Sequence, residues 1–254
     1  MKDKPKIWYS FLQGVSEDDH IGFYENHNFE WVPALEENTP VIAHEIETFL
    51  LENEAQIKPY FNTSLVTQKK RWKISTFFVW TWLVPKNMQK CPETMKLLNK
   101  IPGIISASIS IMEANVAIKP HRGDTNAIIR CHLPLKVPAT LPECGFKVKY
   151  DERSWEYGKL LLFNDSARHE AWNFSNQRRY VLLFDVIRPE FKSKKYWVSS
   201  TVLAGLVAQA ITGKMPLLKK VPQSLHQIFI YSLSILINPI LKVQSYRNNR
   251  YIST

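Results

Sequence analysis

Cysteine is scarce in this chain, and the few cysteines present exclude several classes of protein. The 254 residues contain three, Cys91, Cys131 and Cys144, an odd number with no CxxC spacing. A disulfide framework or a zinc ribbon needs paired cysteines, so the pattern instead favours a reducing compartment. The N-terminal 20 residues carry charges throughout and lack an apolar segment followed by a cleavage site. We therefore expect no signal peptide and a cytoplasmic location.

Acidic residues are absent from residues 192–254, which carry nine lysines and arginines. The net charge of the whole chain is +10, so the first 191 residues are almost neutral. Basicity confined to one terminal segment removes the main support for a nucleic-acid-binding protein. The composition, 45% apolar and 12% aromatic, allows a sizeable core. We predict one domain over residues 1–191, a basic tail over residues 192–254, and no nucleic-acid partner.

Long apolar runs are also lacking in the tail. A helix that crosses the hydrocarbon core of a membrane needs about 20 apolar residues. The tail offers the shorter runs 201–211 and 228–241, and the second contains Asn238 and Pro239, which makes it a poor transmembrane span. Two interpretations stay open. Apolar helices flanked by cations suit peripheral contact with the inner face of a membrane, or the helices pack on the body or on a second subunit of an oligomer.

The body contains no internal repeat and divides into two regions that differ in the spacing of their apolar residues. Residues about 20–100 space their apolar side chains helically or irregularly, which predicts a helical cover that includes a helix of about three turns before Pro59. From Ile104 onward, short β-rich runs alternate with turn residues, which predicts an antiparallel sandwich or barrel over about 104–190. These runs are IISASISIM, AIIRCHLPL, GFKVKY, KLLLFND and RYVLLFDVI.

Residues 120–126, PHRGDTN, begin like a metal site and then misplace a ligand. In the His-x-Asp pair of non-haem iron enzymes, the carboxylate lies two residues after the histidine, on the same face of an extended chain. Here Gly123 takes that position, and Asp124 comes one residue late, on the opposite face. We expect Asp124 to have a surface or turn-capping role. A second histidine, His169, follows KLLLFND after a turn and could meet His121 at one mouth of a barrel.

Cationic side chains lie on the same predicted strands. Arg130 and His132 are two residues apart, so they share one face of a strand. Arg179 opens a strand that is otherwise almost wholly apolar, and an inward-facing arginine there needs an anionic partner. A dicarboxylate cosubstrate bound by the planar guanidinium would be such a partner.

Five blocks within residues 110–190 resemble the aspartyl/asparaginyl β-hydroxylase family of iron(II)- and 2-oxoglutarate-dependent dioxygenases. The blocks are SIM, PHRGDTN, RCHLPL, SWEYGKLLLFNDSARHEAW and RYVLLFDVIRPE, in this order. The resemblance implies a mainly β fold, a double-stranded β-helix of the jelly-roll or cupin-like type, with an N-terminal helical cover and a C-terminal helical tail. It also implies an enzyme that hydroxylates a C–H bond with release of succinate and CO2.

The resemblance further implies an iron site with two histidine ligands. Peptide hydroxylases of the family have glycine at the position of Gly123, bind Fe(II) through the residues matched by His121 and His169, and complete the metal shell with water. The cosubstrate 2-oxoglutarate then chelates the metal and leaves a position for O2. Asp165, four residues before His169, would hold a metal-bound water or orient that histidine, or it serves only the turn.

The binding site for 2-oxoglutarate is also implied by the resemblance. Arg179 and Ser110 match the clamp for the distal carboxylate of this cosubstrate. Arg130 and His132 match residues that line the same pocket. Whether Arg130 contacts the cosubstrate or the substrate stays open.

The substrate is less closely determined than the site. Some family members act on Asp or Asn in peptides, and others act on the acyl chains of membrane lipids at the cytoplasmic face. Ile128, in place of a second arginine of the peptide enzymes, and the basic apolar tail favour a lipid, whereas Gly123 matches the peptide enzymes. A peptide or protein is the first alternative, and a free amino acid or small metabolite is the second. A barrel of this kind can also lose catalysis and remain a binding module, although the retained site residues count against that.

Overall fold

β-Strands dominate the centre of the chain in the computed structural model, which describes residues 6–12, 14–215 and 220–252. The strands of that part are β1 (Phe23–Tyr24), β2 (Lys58–Pro59), β3 (Trp72–Val79), β4 (Trp82–Leu83), β5 (Ile104–Met112), β6 (Val116–His121), β7 (Ile128–Lys136), β8 (Cys144–Val148), β9 (Asp151–Arg153), β10 (Leu161–Phe163), β11 (His169–Asn173) and β12 (Arg179–Ile187). Its α-helices are α1 (Val32–Glu37), α2 (Thr39–Asn53), α3 (Pro85–Met88), α4 (Pro92–Leu98), α5 (Lys195–Lys214) and α6 (Gln223–Ile252).

Two antiparallel sheets form the body. The large sheet has the order β1-β10-β7-β12-β5-β3-β2, with β4 paired to β3, and the small sheet has the order β6-β11-β8-β9. All five runs predicted as strands are strands, and β5 and β12 have the same first and last residues as their runs. The prediction of a mainly β jelly-roll fold is confirmed.

The space between the two sheets is filled by side chains from both. Because strand residues alternate between faces, every second residue of each strand points inward. Trp72 and Val181 of the large sheet pack there against Phe146 of the small sheet and against Trp155, which precedes β10. This interior core also holds the histidines and arginines described below.

The outer face of the large sheet is covered by the N-terminal helices. In α2, Ile42, Ile46, Phe49 and Leu50 recur at the spacing of one helical face and are all buried. They pack in a second core that includes the outward-facing Leu182 of β12. The predicted helix before Pro59 is therefore confirmed, and it spans 15 residues.

The N-terminal cover is helical only in part, which corrects the prediction for residues about 20–100. β3 is a strand of eight residues in the large sheet, and it pairs with β5 from Trp72 opposite Met112 to Phe78 opposite Ala107. Both of its faces meet a core, because Trp72 points into the barrel and Phe77 packs under α2. A strand that is buried on both faces loses the alternation by which strands are recognised in a sequence.

The tail forms an antiparallel pair of helices. The hydroxyl of Tyr196, near the start of α5, donates to Ser245 Oγ near the far end of α6 at 2.7 Å. Val198 and Val202 of α5 are buried in a core on the body that includes Tyr9, so the tail packs on the body through this helix. α6 covers α5 and leaves a row of large apolar side chains exposed: Leu225, Ile228, Phe229, Ile235, Leu236, Ile240 and Val243.

The second apolar run of the tail behaves differently from the prediction. Pro239 lies inside α6 and does not end it. Among the described residues, Gln223–Ser245 has the length and composition of a membrane-spanning helix, a test that a core helix of a soluble protein also passes.

Candidate functional site

The two predicted histidines meet at the edge of the small sheet. His121 is the last residue of β6, and His169 is the first residue of β11. The two residues are direct partners across the antiparallel strands, and their ring centroids lie 4.2 Å apart. The pairing of β6 with β11 thus brings together two side chains that are 48 positions apart in the chain.

Both imidazole rings are oriented by the same kind of hydrogen bond. Nδ1 of His121 lies 2.8 Å from the carbonyl oxygen of Lys119, and Nδ1 of His169 lies 2.9 Å from that of Ala167. Because a carbonyl oxygen only accepts, each Nδ1 must carry the hydrogen. In the neutral ring, Nε2 then keeps a free lone pair, which is the arrangement of a metal-binding histidine.

Burial keeps these rings neutral. It lowers the pKa of His121, and it lowers the pKa of His169 well below the usual value, with a further lowering from the neighbouring His121. The pair therefore presents two unprotonated nitrogens at neutral pH. Within the described residues, no group of three or more His, Cys, Asp or Glu is arranged to hold a metal ion, so these two rings are the candidate protein ligands.

Asp165 lies beside the histidine pair and connects it to Arg130. Asp165 Oδ1 is 3.8 Å from His169 Nε2 and accepts a hydrogen bond from Arg130 Nη1 at 2.6 Å. The same guanidinium donates from Nε and Nη2 to the two carboxylate oxygens of Asp185, at 2.7 and 3.1 Å. Arg130 is thus held between two buried carboxyl groups and is not left free to bind an anion.

The carboxyl groups around Arg130 carry more negative charge than one guanidinium neutralises. Burial raises the pKa of Asp165 to about 7; the attraction to Arg130 lowers it, and the neighbouring carboxyl groups of Asp185 and Asp124 raise it. Burial also raises the pKa of Asp124 to about 6. Such an excess of carboxyl groups beside two neutral histidines favours a divalent cation.

Asp124 is less exposed than the predicted surface or turn-capping role implies. Its side chain is half-buried and lines a groove together with Arg130 and Asp185, while its backbone carbonyl accepts the N–H of Ser10 at 2.9 Å. The N-terminal segment and α5 cover this part of the barrel, and neither is adjacent to Asp124 in the sequence. β6 ends at His121, so strand alternation does not extend to Asp124, and the burial of this side chain depends on the two distant segments.

The glycine in PHRGDTN has a steric explanation. A Cβ atom on Gly123 would lie 1.7 Å from Asp165 Oδ2 and 2.0 Å from Asp165 Cγ. The backbone N–H of Gly123 also donates to the carbonyl of Asp165 at 2.7 Å, which holds the two segments together. The carboxyl group of Asp165 therefore occupies the space in which the side chain of a His-x-Asp motif would begin.

We expect Gly123→Ala to destabilise the protein by about 1–3 kcal/mol, because an added methyl group must displace the buried carboxyl group of Asp165. Thermal unfolding of the variant measures the effect. Gly213→Ala is the matched control, since a Cβ atom at Gly213 of α5 would meet nothing within 4 Å. Equal unfolding temperatures for the two variants would contradict the steric explanation.

The raised pKa of Asp165 predicts a pH dependence for the metal-free protein. Between about pH 4 and 7 the folded protein keeps a proton on this carboxyl group, whereas the unfolded chain releases it. The stabilising contribution of Asp165 is therefore complete below about pH 4 and is lost as the pH rises through about 7. We expect the stability of the wild type relative to Asp165→Asn to fall over this range. If urea unfolding gave the same difference in stability between the wild type and Asp165→Asn from about pH 4 to about pH 8, the raised pKa would not belong to Asp165.

Arg179 is buried in the barrel without an anionic partner. Its side chain is 1% exposed, and among the described residues neither Nε nor Nη1 has a hydrogen-bond partner. The guanidinium carbon lies 4.2 Å from the centroid of the Trp155 ring, which supports one face of the guanidinium by a cation–π contact. Burial lowers the pKa of Arg179 to about 10. Burying a guanidinium without an anionic partner costs free energy, and an anion bound beside Arg179 would offset that cost.

Ser110 and His132 share the inward face of the large sheet with Arg179. Ser110 lies opposite Val181 of β12, two residues from Arg179, and its Oγ accepts the indole N–H of Trp72 at 3.1 Å. His132 Nδ1 accepts the indole N–H of Trp155 at 3.3 Å, so in the neutral ring its Nε2 carries a hydrogen and can donate. Burial lowers the pKa of His132 well below its usual value.

The predicted residues therefore form two neighbouring groups inside the barrel. One group holds His121, His169, Asp165 and Arg130, and the other holds Arg179, Ser110 and His132. The Phe163 ring joins them, because its centroid lies 5.2 Å from that of His169 and 5.1 Å from that of His132. The shared face predicted for Arg130 and His132 agrees with their register against Asp185 and Leu183 of β12.

Three residues of the site were missed in the sequence. Asp185 is the lone acid of an apolar strand, and that signal was visible, but only the register of β12 against β7 pairs it with Arg130. Trp72 and Trp155 have no local signal, because each is one aromatic residue among several.

Ile128 was counted in favour of a lipid, yet it is fully buried in the core beneath α5, so its side chain does not bear on the choice of substrate.

Comparison with known proteins identifies the family. The family model for aspartyl/asparaginyl beta-hydroxylase matches residues 36–189, more than half of the chain. The chain therefore belongs to the aspartyl/asparaginyl β-hydroxylase family. The match confirms the resemblance found in residues 110–190 and extends it upstream over α2 and β3.

Two relatives of this family member carry different names. The chain is 33% identical over 172 residues to an ornithine lipid ester-linked acyl 2-hydroxylase of Rhizobium tropici, with 65% of this chain and 60% of that protein covered. It is 31% identical over 175 residues to aspartate beta-hydroxylase domain-containing protein 2 of Homo sapiens, with 61% and 46% covered. The chain thus spans about half of the length of these curated relatives, or a little more.

Solved structures with related folds are more distant. A prolyl-4-hydroxylase of Pseudomonas putida matches with a TM-score of 0.39 at 12% identity, covering 62% of this chain and 99% of that chain. HygX from Streptomyces hygroscopicus, with nickel and 2-oxoglutarate bound, matches with a TM-score of 0.39 at 10% identity, covering 58% and 79%.

Proposed function

We propose that this protein is an iron(II)- and 2-oxoglutarate-dependent dioxygenase that hydroxylates a C–H bond. The observation that carries the proposal is the guanidinium of Arg179, buried without an anionic partner in the same barrel as the paired histidines. A site that combines an unsatisfied cation with two lone pairs on neutral imidazoles suits a dicarboxylate that also chelates a metal.

The histidine pair fits Fe(II). Nε2 of His121 and Nε2 of His169 would be the two protein ligands, and each ring is already oriented through its Nδ1 hydrogen bond. The carboxyl group of Asp165 lies close enough to orient a water molecule beside them. The bound iron would supply the activation of O2, which no amino-acid side chain performs.

The second group of residues fits 2-oxoglutarate. Arg179 would pair with the distal carboxylate, and Trp155 keeps the guanidinium in place for it. The hydroxyl of Ser110 and the Nε2–H of His132 would add neutral hydrogen bonds on the same face of the sheet. Because Arg130 is already bound to Asp165 and Asp185, its role would be to position Asp165 beside the metal and not to hold the cosubstrate.

The proposed reaction balances without another reductant. O2 and 2-oxoglutarate react with the substrate R–H to give R–OH, succinate and CO2. One oxygen atom enters the substrate as the hydroxyl group, and the other enters the new carboxylate of succinate. Oxidation of the C–H bond supplies two electrons, and oxidative decarboxylation of the 2-oxo acid supplies the other two.

We further propose that the substrate is the acyl chain of a membrane lipid. The Rhizobium tropici relative is named as an acyl hydroxylase of a lipid, which supports this choice. The exposed apolar row of α6, with Lys214, Lys220 and Lys242 exposed on the same acid-free tail, supports peripheral contact with the inner face of a membrane. Peptidyl Asp or Asn is the alternative, since the human relative is named for aspartate β-hydroxylase.

Parallel incubations with lipid and with peptide distinguish these possibilities. The protein is mixed with Fe(II), ascorbate and 2-oxoglutarate, together with either a membrane lipid extract or a peptide pool, and succinate and oxygenated products are measured by mass spectrometry. We expect iron-dependent succinate and a lipid that gains one oxygen atom. Oxygenation of a peptide alone would replace the lipid by the alternative substrate. The absence of iron-dependent succinate under every condition would leave the barrel as a binding module and overturn the proposed reaction.

A further inference from the structure

A groove opens at the end of the barrel that faces α5. Its volume is ≈ 360 Å³, within the range of small-ligand sites. Most of its walls are apolar or aromatic: Pro59, Tyr60, Phe61, Trp72, Ile74, Phe78, Val79, Trp80, Leu183 and Leu206. They come from the large sheet, from the segment that begins with β2, and from α5.

The inner end of this groove reaches the histidine pair through two contacts. Arg130 lines the groove, and its Nη1 lies 2.6 Å from Asp165 Oδ1, which in turn lies 3.8 Å from His169 Nε2. Trp72, on another wall, donates to Ser110 on the face that holds Arg179. Neither histidine lines the groove, so a chain lying in it would come within two side chains, Arg130 and Asp165, of the proposed metal site. Arg179 does not line the groove and stays available for the cosubstrate.

Charge at the inner end disfavours an acidic side chain as the occupant. Asp124 and Asp185 both line that end, and the only guanidinium there, Arg130, is already held by Asp185 and Asp165. At this end a substrate carboxylate would meet two carboxyl groups and no unpaired guanidinium, which costs free energy in a partly buried site. The ammonium group of Lys58 also lines the groove, but it lies on β2, four strands away from Arg130 on β7. A hydrocarbon chain makes no such demand and gains from contact with the aromatic walls.

The helix α5 supplies one wall of the groove. Leu206 is its lining residue, and a small cavity beneath it is lined by Phe11, Asp124 and Gly205. The wall is anchored, because Val198 and Val202 of the same helix are buried in the body. The neighbouring side chain of Val207 is exposed and does not line the groove.

We infer that the groove binds the acyl chain of the lipid substrate and that Leu206 of α5 limits which chains enter it. The inference rests on the proposed function and adds the location of the chain and a residue that determines specificity. The tail is then part of the substrate site as well as a surface for membrane contact.

The test compares Leu206→Phe with Val207→Phe, neighbouring changes of which only the first narrows the groove. With lipid substrates of graded acyl length, we expect Leu206→Phe to lower kcat/KM by about 10-fold or more and to shift the preference to shorter chains. Val207→Phe should keep the wild-type profile. Leu206→Ala, which widens the groove, should shift the preference to longer chains. A folding defect would lower activity without such opposite shifts in chain-length preference.

A binding measurement separates this inference from the proposed reaction. Trp72 and Trp80 line the groove, so a lysophospholipid with a brominated acyl chain should quench part of the tryptophan fluorescence of the wild type and of Val207→Phe, and less that of Leu206→Phe. If the wild type did not turn over 2-oxoglutarate, the proposed function would be overturned. Lipid hydroxylation with identical chain-length profiles and identical quenching in both phenylalanine variants would overturn the role of Leu206 and of the groove.

Discussion

Replacing His169 by alanine should abolish iron-dependent turnover of 2-oxoglutarate. The change removes one of two candidate ligands and leaves only its partner His121. No other side chain can take the place of His169, because the described residues contain no larger cluster of metal-binding side chains. Loss of a residue that only supports a ligand weakens metal binding by about 10–100-fold. Removing a ligand itself should therefore weaken metal binding by more than about 100-fold.

Equilibrium binding of Co(II), measured by absorption or calorimetry, gives this effect independently of activity. His44→Ala is the matched control, since His44 lies exposed on α2 and should leave metal binding and turnover unchanged. A His169→Ala protein that binds Co(II) like the wild type, or that still produces succinate, would defeat the assignment of the ligand pair.

Replacing Arg179 by methionine should stabilise the protein without cosubstrate while it removes the response to 2-oxoglutarate. The guanidinium is buried, it forms no salt bridge with any residue that the structure describes, and it lies over the face of Trp155. Exchanging an uncompensated buried charge for an apolar side chain of similar length is expected to gain about 1–4 kcal/mol. In the wild type, 2-oxoglutarate should raise Tm by binding the folded state, and in the variant this rise should vanish.

Arg178→Met provides the comparison for this prediction. Arg178 is the preceding residue, but it is partly exposed and paired with Glu54 and Glu113 at the surface. Its loss should cost at most about 1 kcal/mol and leave the 2-oxoglutarate response intact. If Arg179→Met destabilised the protein without 2-oxoglutarate, or if its Tm still rose with 2-oxoglutarate, the anion site would have been assigned to the wrong residue.

Local patterns predicted those parts of the fold that depend on local chemistry. The β-rich runs RYVLLFDVI and IISASISIM predicted β12 and β5 to the residue, and one helical apolar face predicted α2. β3 was missed, because its apolar residues lie in a region whose spacing was interpreted as helical or irregular, and with both faces buried it has no regular alternation to mark it as a strand. The tail was recognised as apolar and basic, but its division into a buried helix and an exposed one could not be inferred, because it depends on which face meets the body.

The sequence by itself determined the family, the mainly β fold, and the identity of His121, His169 and Arg179 as the side chains to examine. Spacing, side-chain chemistry and resemblance are properties of single segments, and they survive without coordinates. The tertiary structure decided what these side chains meet. It placed the carboxyl group of Asp165 where a side chain at Gly123 would begin, and it paired Arg130 with Asp185. It also left Nε and Nη1 of Arg179 without a hydrogen-bond partner among the residues that the structure describes. These relations arise from strands and turns that are distant in the chain, and steric exclusion and desolvation act only once those segments are packed together.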